Sequence, residues 1–436
     1  MASYREAWGL FQDELVFRSS STATLSSGVG PGMRMINPDQ SAATSTTSKP
    51  DLVSELQRLR QDLRELQTAS HPNQDPPPSD RPETFSFTTQ SDNSLPYREP
   101  GSEKSEAFRL QASNAGIRAL SNITALFVGG TSGIGQSTLR QLARHADSPT
   151  AYIVGRNEAR ARPFLSELRQ LNPKGRFHFI EADVSLVRNV DAACRQILQQ
   201  QKQLNFLFMT PGGISLGGRN ETVEGIDYLF ALRYYSRMRF IQNLLPLLES
   251  SGPSRVVSVY GGGFEYSINT SDLDLKHSFS LLNAYKHSIT MTSLSMEHLA
   301  STHPAVSFIH VYPGLVGTNI YTNSFPAPVS TFYNYAMWPF MWPFSVNLRE
   351  SGERHLFHLT SARYPAKQGI MFQGVPLETG NVATGTTGGT GSGAYLLNWK
   401  GDVRPSPKIL AQYREQRIPE LVWDHTESLL DEAVRR

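Results

Sequence analysis

The sequence predicts an α/β fold: a doubly wound parallel sheet with helices on both faces, preceded by a largely disordered N-terminal arm. Three observations carry this expectation. From residue 118 onward, short apolar runs alternate with helix-patterned segments, as in parallel sheets covered on both sides. The first apolar run ends in a glycine-rich turn that opens a helix. Residues 1–115 have a composition that cannot bury enough apolar surface to offset chain entropy.

Within that arm, Arg18 to Pro50 is rich in Ser, Thr, Gly and Pro, and Ser70 to Glu103 is rich in Pro, Ser, Asp and Gln. Between them, Leu52, Leu56, Leu59, Leu63 and Leu66 are spaced alternately by four and three over residues 52–67, with Asp51 placed as an N-cap. This seam covers about two heptads, short of a sustained coiled coil. It reads either as a lone amphipathic helix or as a dimerisation or partner helix.

The strand-like runs of the second region are Ile123–Val128, Ala151–Val154, Phe177–Ile180, Phe206–Met209, Val256–Val259 and Val306–Val311, with Tyr395–Trp399 as a seventh. The longest helical patterns are Val190–Lys202, Val223–Ser250 and Leu281–Ser301. A further helix over Ser406–Arg435 is expected to break at Pro419. After the first run comes Val128-Gly129-Gly130-Thr131-Ser132-Gly133-Ile134-Gly135, then a helix over Gln136–His145. Strand, glycine turn and helix make the context in which such glycines bind a dinucleotide in a Rossmann fold. Gly129 permits the tight turn, Gly133 admits a pyrophosphate against the backbone, and Gly135 lets the helix pack on the strand. The helix N-terminus offers unpaired N–H groups to the phosphates.

Bulk properties exclude several classes. A net charge of +2 gives no basic excess for nucleic acid. The single cysteine, Cys194, forms no internal disulfide and fits a reducing compartment. Met1 to Phe17 lacks the uninterrupted apolar core of a secretion signal, so a cytoplasmic location is expected. The 11 histidines show no HxxxH or HExxH spacing, and no metal site is expected.

On the Gly129–Gly135 turn and the later landmarks, residues 118–400 resemble the short-chain dehydrogenase/reductase family. The turn is similar to the family's TGxxxGxG, with Val128 at the first Thr. The resemblance implies nicotinamide-carrier contacts at Gly129, Thr131, Ser132, Gly133, Ile134 and Gly135. It extends them to Asp183-Val184 after the third strand and to Pro313 and Thr318 after the sixth. Arg156 stands where an acidic residue would bind a ribose 2′-OH; a guanidinium there favours a 2′-phosphate, hence NADP. Met209-Thr210-Pro211-Gly212 occupies the place of the family's Asn-Asn-Ala-Gly and keeps only the glycine.

The family's proton donors do not carry over. Family members use a Tyr with a Lys four residues later, a Ser after the fifth strand and an Asn on the preceding helix. In one register Phe279 takes the Tyr position and Asn283 the Lys position; in the other, Leu282 and Lys286 do. Gly261 stands at the Ser, beside Tyr260, and Arg233 at the Asn. Tyr260, Asn283 and Lys286 are the candidate catalytic residues in this setting. No Asp, Glu, Lys or Arg occurs between Glu297 and Arg349, and Phe325–Phe344 is aromatic and proline-rich. That segment reads as a substrate lid over about 318–348 for a bulky apolar small molecule, and its prolines argue against an integral membrane span. The expected function is an NADP-dependent oxidoreductase acting on a carbonyl, hydroxyl or enone, in secondary metabolism by resemblance to fungal reductases. A non-redox isomerase or cyclase and an inactive NADP-binding scaffold are the alternatives. Related enzymes pair through their two long helices, which implies a homo-oligomer.

Overall fold

In a computed structural model of the chain, residues 110–436 are described, apart from 215–216, 319, 321–323, 325–330, 332–334, 336–337, 339–341, 369–373 and 377–380. The expected helix 52–67 lies outside the described residues, as does the arm up to residue 109.

Residues 110–119 form helical turns whose Leu110 and Ile117 are buried, so the folded region reaches back into the segment assigned to the arm. Asn114 ties this segment down by donating to the Glu353 carbonyl at 2.9 Å.

Seven strands follow: β1 (Thr124–Val128), β2 (Thr150–Gly155), β3 (Arg176–Glu181), β4 (Phe206–Met209), β5 (Arg255–Val259), β6 (Ser307–Val311) and β7 (Ala394–Leu397). All pair in parallel, in the order β3-β2-β1-β4-β5-β6-β7. The helices are α1 (Gly133–His145), α2 (Glu158–Leu171), α3 (Val187–Gln200), α4 (Ser236–Glu249), α5 (Leu281–Thr302), α6 (Leu348–Thr360), α7 (Lys408–Glu415) and α8 (Ile418–Arg435). Side chains alternate across the sheet with period two. Leu126, Val128, Leu207 and Met209 join the core shared with α3, α4, α5 and α8. Ala125, Phe127, Phe206 and Phe208 join the core shared with α1, α2 and α6.

Local signals set the helix ends. Asn157 caps α2 by accepting from the Arg160 N–H at 2.8 Å, and Ser280 caps α5 by accepting from Asn283 N–H at 3.0 Å. The helical pattern expected over Val223–Ser250 begins only at Tyr228 and passes through a π-helical turn, Ala231–Tyr235, before α4. Such turns widen the helix locally and re-aim its side chains. The C-terminal helix breaks between α7 and α8, where Arg417 is left-handed at φ 56° and Pro419 sits in the first turn of α8.

The strand order reverses at β1, which lies between β2 and β4. Doubly wound sheets bind ligands at such a switch point, beyond the carboxyl ends of the strands.

Candidate active site

A cleft of about 500 Å3 opens at that position. Its floor is the turn between β1 and α1. Gly129 adopts φ +81° and Gly133 φ +56°, conformations that glycine reaches without strain. A Cβ on Gly135 would lie 2.6 Å from the Gly129 carbonyl oxygen, so α1 meets the strand at a distance only glycine allows. Ser132 is the α1 N-cap, but its hydroxyl makes no capping bond, so the first-turn N–H groups face the cleft without a side-chain partner. Thr210 steadies the turn by donating through Oγ1 to the Gly129 carbonyl at 3.2 Å.

Of the residues assigned to the carrier, Gly129, Thr131, Ser132, Gly133, Ile134, Arg156, Asp183, Val184 and Thr318 line the cleft. Gly135 lies behind the turn as a packing position, and Pro313 lies outside the lining. Arg156, at the end of β2, donates to the Tyr228 hydroxyl at 3.3 Å and has no carboxylate partner among the described residues. Asp183 accepts from the Ser185 N–H at 3.0 Å. An open first helical turn, a glycine cradle and an Arg at the ribose end together fit a nicotinamide carrier.

Tyr260, Asn283 and Lys286 do not line the cleft. Asn283 donates through Nδ2 to the Ser278 carbonyl at 2.8 Å. The Lys286 ammonium lies 5.6 Å from the Tyr266 ring centroid. His287 accepts from the Asn269 N–H at 3.1 Å, on the same side. Helix geometry explains the outcome: positions 283, 286 and 287 share one face of α5, whereas Leu281 and Ala284 share the face turned to the cleft. Where the family pattern places an acid, this wall is apolar.

The polar groups at the inner end come instead from the helix before β5. Arg237 is fully buried and donates to Ser258 Oγ at 2.5 Å, to the Val259 carbonyl at 3.1 Å and to the Pro211 carbonyl. Burial pushes its guanidinium down to about 10. Arg233, one turn earlier, lines the cleft and donates to the Gly213 carbonyl at 2.7 Å. Both guanidiniums rest against the Tyr260 ring, at 5.8 and 5.6 Å from its centroid. Arg237 had no distinguishing mark in the sequence except its spacing of four from Arg233 in an apolar helix. Thr210, Leu229, Leu232 and Phe279 complete the wall.

Below Tyr260 runs a buried chain. The Gly261 N–H donates to His310 Nε2 at 3.1 Å, and His310 Nδ1 meets Ser293 Oγ at 2.8 Å. Ser293 Oγ donates to Glu265 Oε1 at 2.7 Å. Burial drives His310 down to about 3 and raises the Glu265 carboxyl. With Nε2 accepting, His310 carries its proton on Nδ1, and the chain fixes the segment after β5. Of the lid expected over 318–348, much lies outside the described residues. Ile320 and Ser324 line the cleft, and the Ser324 hydroxyl accepts from the Ile214 N–H at 3.1 Å.

No helix among the described residues is long and apolar enough to cross a membrane, and no group of three metal-ligating side chains occurs among them.

A doubly wound sheet with a glycine-rich first turn and an open helix end defines a dinucleotide-binding enzyme fold. A family profile described as short chain dehydrogenase matches residues 123–328. The chain is 89% identical over 327 residues to Oxidoreductase AN1596 of Emericella nidulans, covering 75% of this chain and 98% of that protein. It is 42% identical over 310 residues to Oxidoreductase andH of Emericella variicolor, covering 70% and 90%. It is 30% identical over 351 residues to the short-chain dehydrogenase/reductase SAT2 of Stachybotrys chartarum, covering 75% and 98%. The chain belongs to the short-chain dehydrogenase/reductase family and is an oxidoreductase of that family.

Proposed function

We propose that the protein is an NADP-dependent oxidoreductase of fungal specialised metabolism that exchanges hydride with a carbonyl, hydroxyl or enone of a bulky apolar small molecule. The observation that carries the choice of NADP is Arg156, a cleft-lining guanidinium with no carboxylate partner among the described residues, at the end of β2 where an acidic residue would select NAD. The first turn of α1 holds the diphosphate through its N–H groups and the helix dipole. Thr318 packs beside Gly133, its Cγ2 3.3 Å from where a Cβ on that glycine would lie, and in this reading contacts the carrier. When bound, the carrier supplies or accepts the hydride.

The remaining residues bind, orient and exclude water. Leu229, Leu232, Phe279, Leu281 and Ala284 form the apolar wall that receives the substrate body. The three positions first considered for catalysis take supporting roles in this reading: Tyr260 backs the two arginines, and Asn283 and Lys286 stabilise the outer side of α5. Water supplies the proton. The apolar face of α5 favours one second reading, a non-redox isomerase or cyclase on the same cleft.

Incubation with NADPH and a panel of apolar ketones and enones separates the two. Loss of reduced-nicotinamide absorbance with substrate supports the first reading. Product formed with that absorbance unchanged supports the second.

A further inference from the structure

Arg233 and Arg237 are two buried cations side by side, 8% and 1% exposed, and neither makes an ion pair among the described residues. Burying a guanidinium without a counter-charge is unfavourable, and proteins normally pair such groups. Arg237 is compensated by the hydroxyl and carbonyls it reaches from β5 and from the segment after β4. Arg233 is not. Among the described residues its one hydrogen bond runs to the Gly213 carbonyl, and its Nε is buried without a partner there. The segment that follows Thr318 brings no remedy, because residues 298–348 contain no Asp or Glu. The cleft that Arg233 lines is also lined by Leu229, Leu232, Phe279, Leu281 and Ala284. A largely buried cation thus stands in the wall of a cleft that also presents apolar side chains.

We propose that Arg233 binds a carboxylate of the substrate, so that the enzyme acts on an apolar molecule bearing a carboxylic acid. A carboxylate carries the full compensating charge at neutral pH and matches the planar guanidinium. Tyr260 is a positioning residue, its ring backing the guanidiniums of both Arg233 and Arg237. The proposal deepens the reading of the cleft as a carrier and substrate site, and rests on it.

The test is calorimetric titration of the NADP-loaded protein with naphthoate and with neutral naphthamide, which share an apolar body. Wild type binds naphthoate about tenfold tighter or more, the margin of one charge-assisted hydrogen bond. Arg233→Met and Arg233→Gln abolish that preference, and Arg233→Lys keeps part of it. Thermal melts establish that each variant is folded. Equal affinity of the wild type for the two probes, no naphthoate binding at millimolar concentration, or a preference that survives in Arg233→Met overturns the proposal. NADP affinity is measured separately. Its absence in wild type defeats the carrier site itself, whereas NADP binding without a naphthoate preference defeats only the role of Arg233.

Discussion

The Gly135 Cα stands so close to the Gly129 carbonyl that a Cβ there would lie 2.6 Å from that oxygen. The atom in the way is backbone, so it cannot swing aside. Gly135→Ala is therefore expected to push α1 away from β1. Overpacking of this kind costs about 1–3 kcal/mol, and carrier affinity falls with the displaced helix end. Chemical denaturation and NADP titration on one variant check both effects.

Arg156 should decide between the two carriers. Arg156→Ala removes the cation without disturbing the glycine turn, because its one hydrogen bond among the described residues is the 3.3 Å contact to Tyr228. NADPH affinity is expected to fall by about tenfold or more, as for the loss of a charge-assisted phosphate contact, with NADH affinity little changed. Parallel titrations with the two carriers measure the ratio.

Arg237 holds together the ends of β4 and β5. Arg237→Met leaves the Ser258 hydroxyl and the Val259 and Pro211 carbonyls without their donor. Orphaned buried groups cost about 1–3 kcal/mol each, so a loss on the order of 3 kcal/mol is expected. Arg237→Lys should not restore it, since an ammonium cannot span the guanidinium's fan of acceptors. Urea unfolding of the two variants provides the comparison.

Buried histidines predict the acid limb of stability. Burial drives His310 down to about 3 and His355 to about 4, and holds His358 well below the ordinary value. For a base with a depressed folded pKa, the unfolded chain takes up protons first. Stability is then fully present above the unfolded value of about 6.5 and lost as pH falls toward 4 and 3. The buried carboxyls of Glu265 and Glu297 are shifted upward by burial and act oppositely, the fold gaining relative stability as they protonate. The histidine shifts are the large ones, and Asp191 and Asp272, held below the ordinary carboxylate value, add to the loss on the acid side, so the melting temperature should decline from near pH 6.5 downward. His355→Gln, which keeps a polar side chain of similar size without a titratable ring, should flatten that decline.

The parts of this molecule that follow local rules were legible in its sequence. The β1 turn announced itself because backbone approach to a phosphate demands glycine, and no side chain elsewhere in the chain substitutes for that signal. The break before Pro419 was legible because proline has no N–H to donate. The inner end of the cleft was not. Arg237 and Arg239 look alike in sequence, yet Arg239 pairs with Asp191 at 2.6 Å while Arg237 points into the sheet. Two positions apart on α4, they lie about 200° apart around the helix axis, so one faces the sheet and the other faces α3. Helix α6 was hidden for a related reason. Its Arg354, His355 and His358 have the polarity of a surface, and tertiary packing buries them, with Arg354 over Trp399, His355 against Phe208 and His358 against Tyr364. Neither family register places Asn283 or Lys286 by any local signal, and it is the 281/284 face of α5 that the helix turns to the cleft.

In the proposed reading, N–H groups at the start of α1 grip the diphosphate of NADP. Isothermal titration of the full chain with NADP and NADPH tests it most directly, alongside Gly133→Val, whose side chain would have to occupy a φ of +56° and meet Thr318. Saturable binding by wild type and its loss in a folded Gly133→Val protein are the predicted result. No heat from wild type with either carrier at millimolar concentration, or unchanged affinity in Gly133→Val, would contradict it.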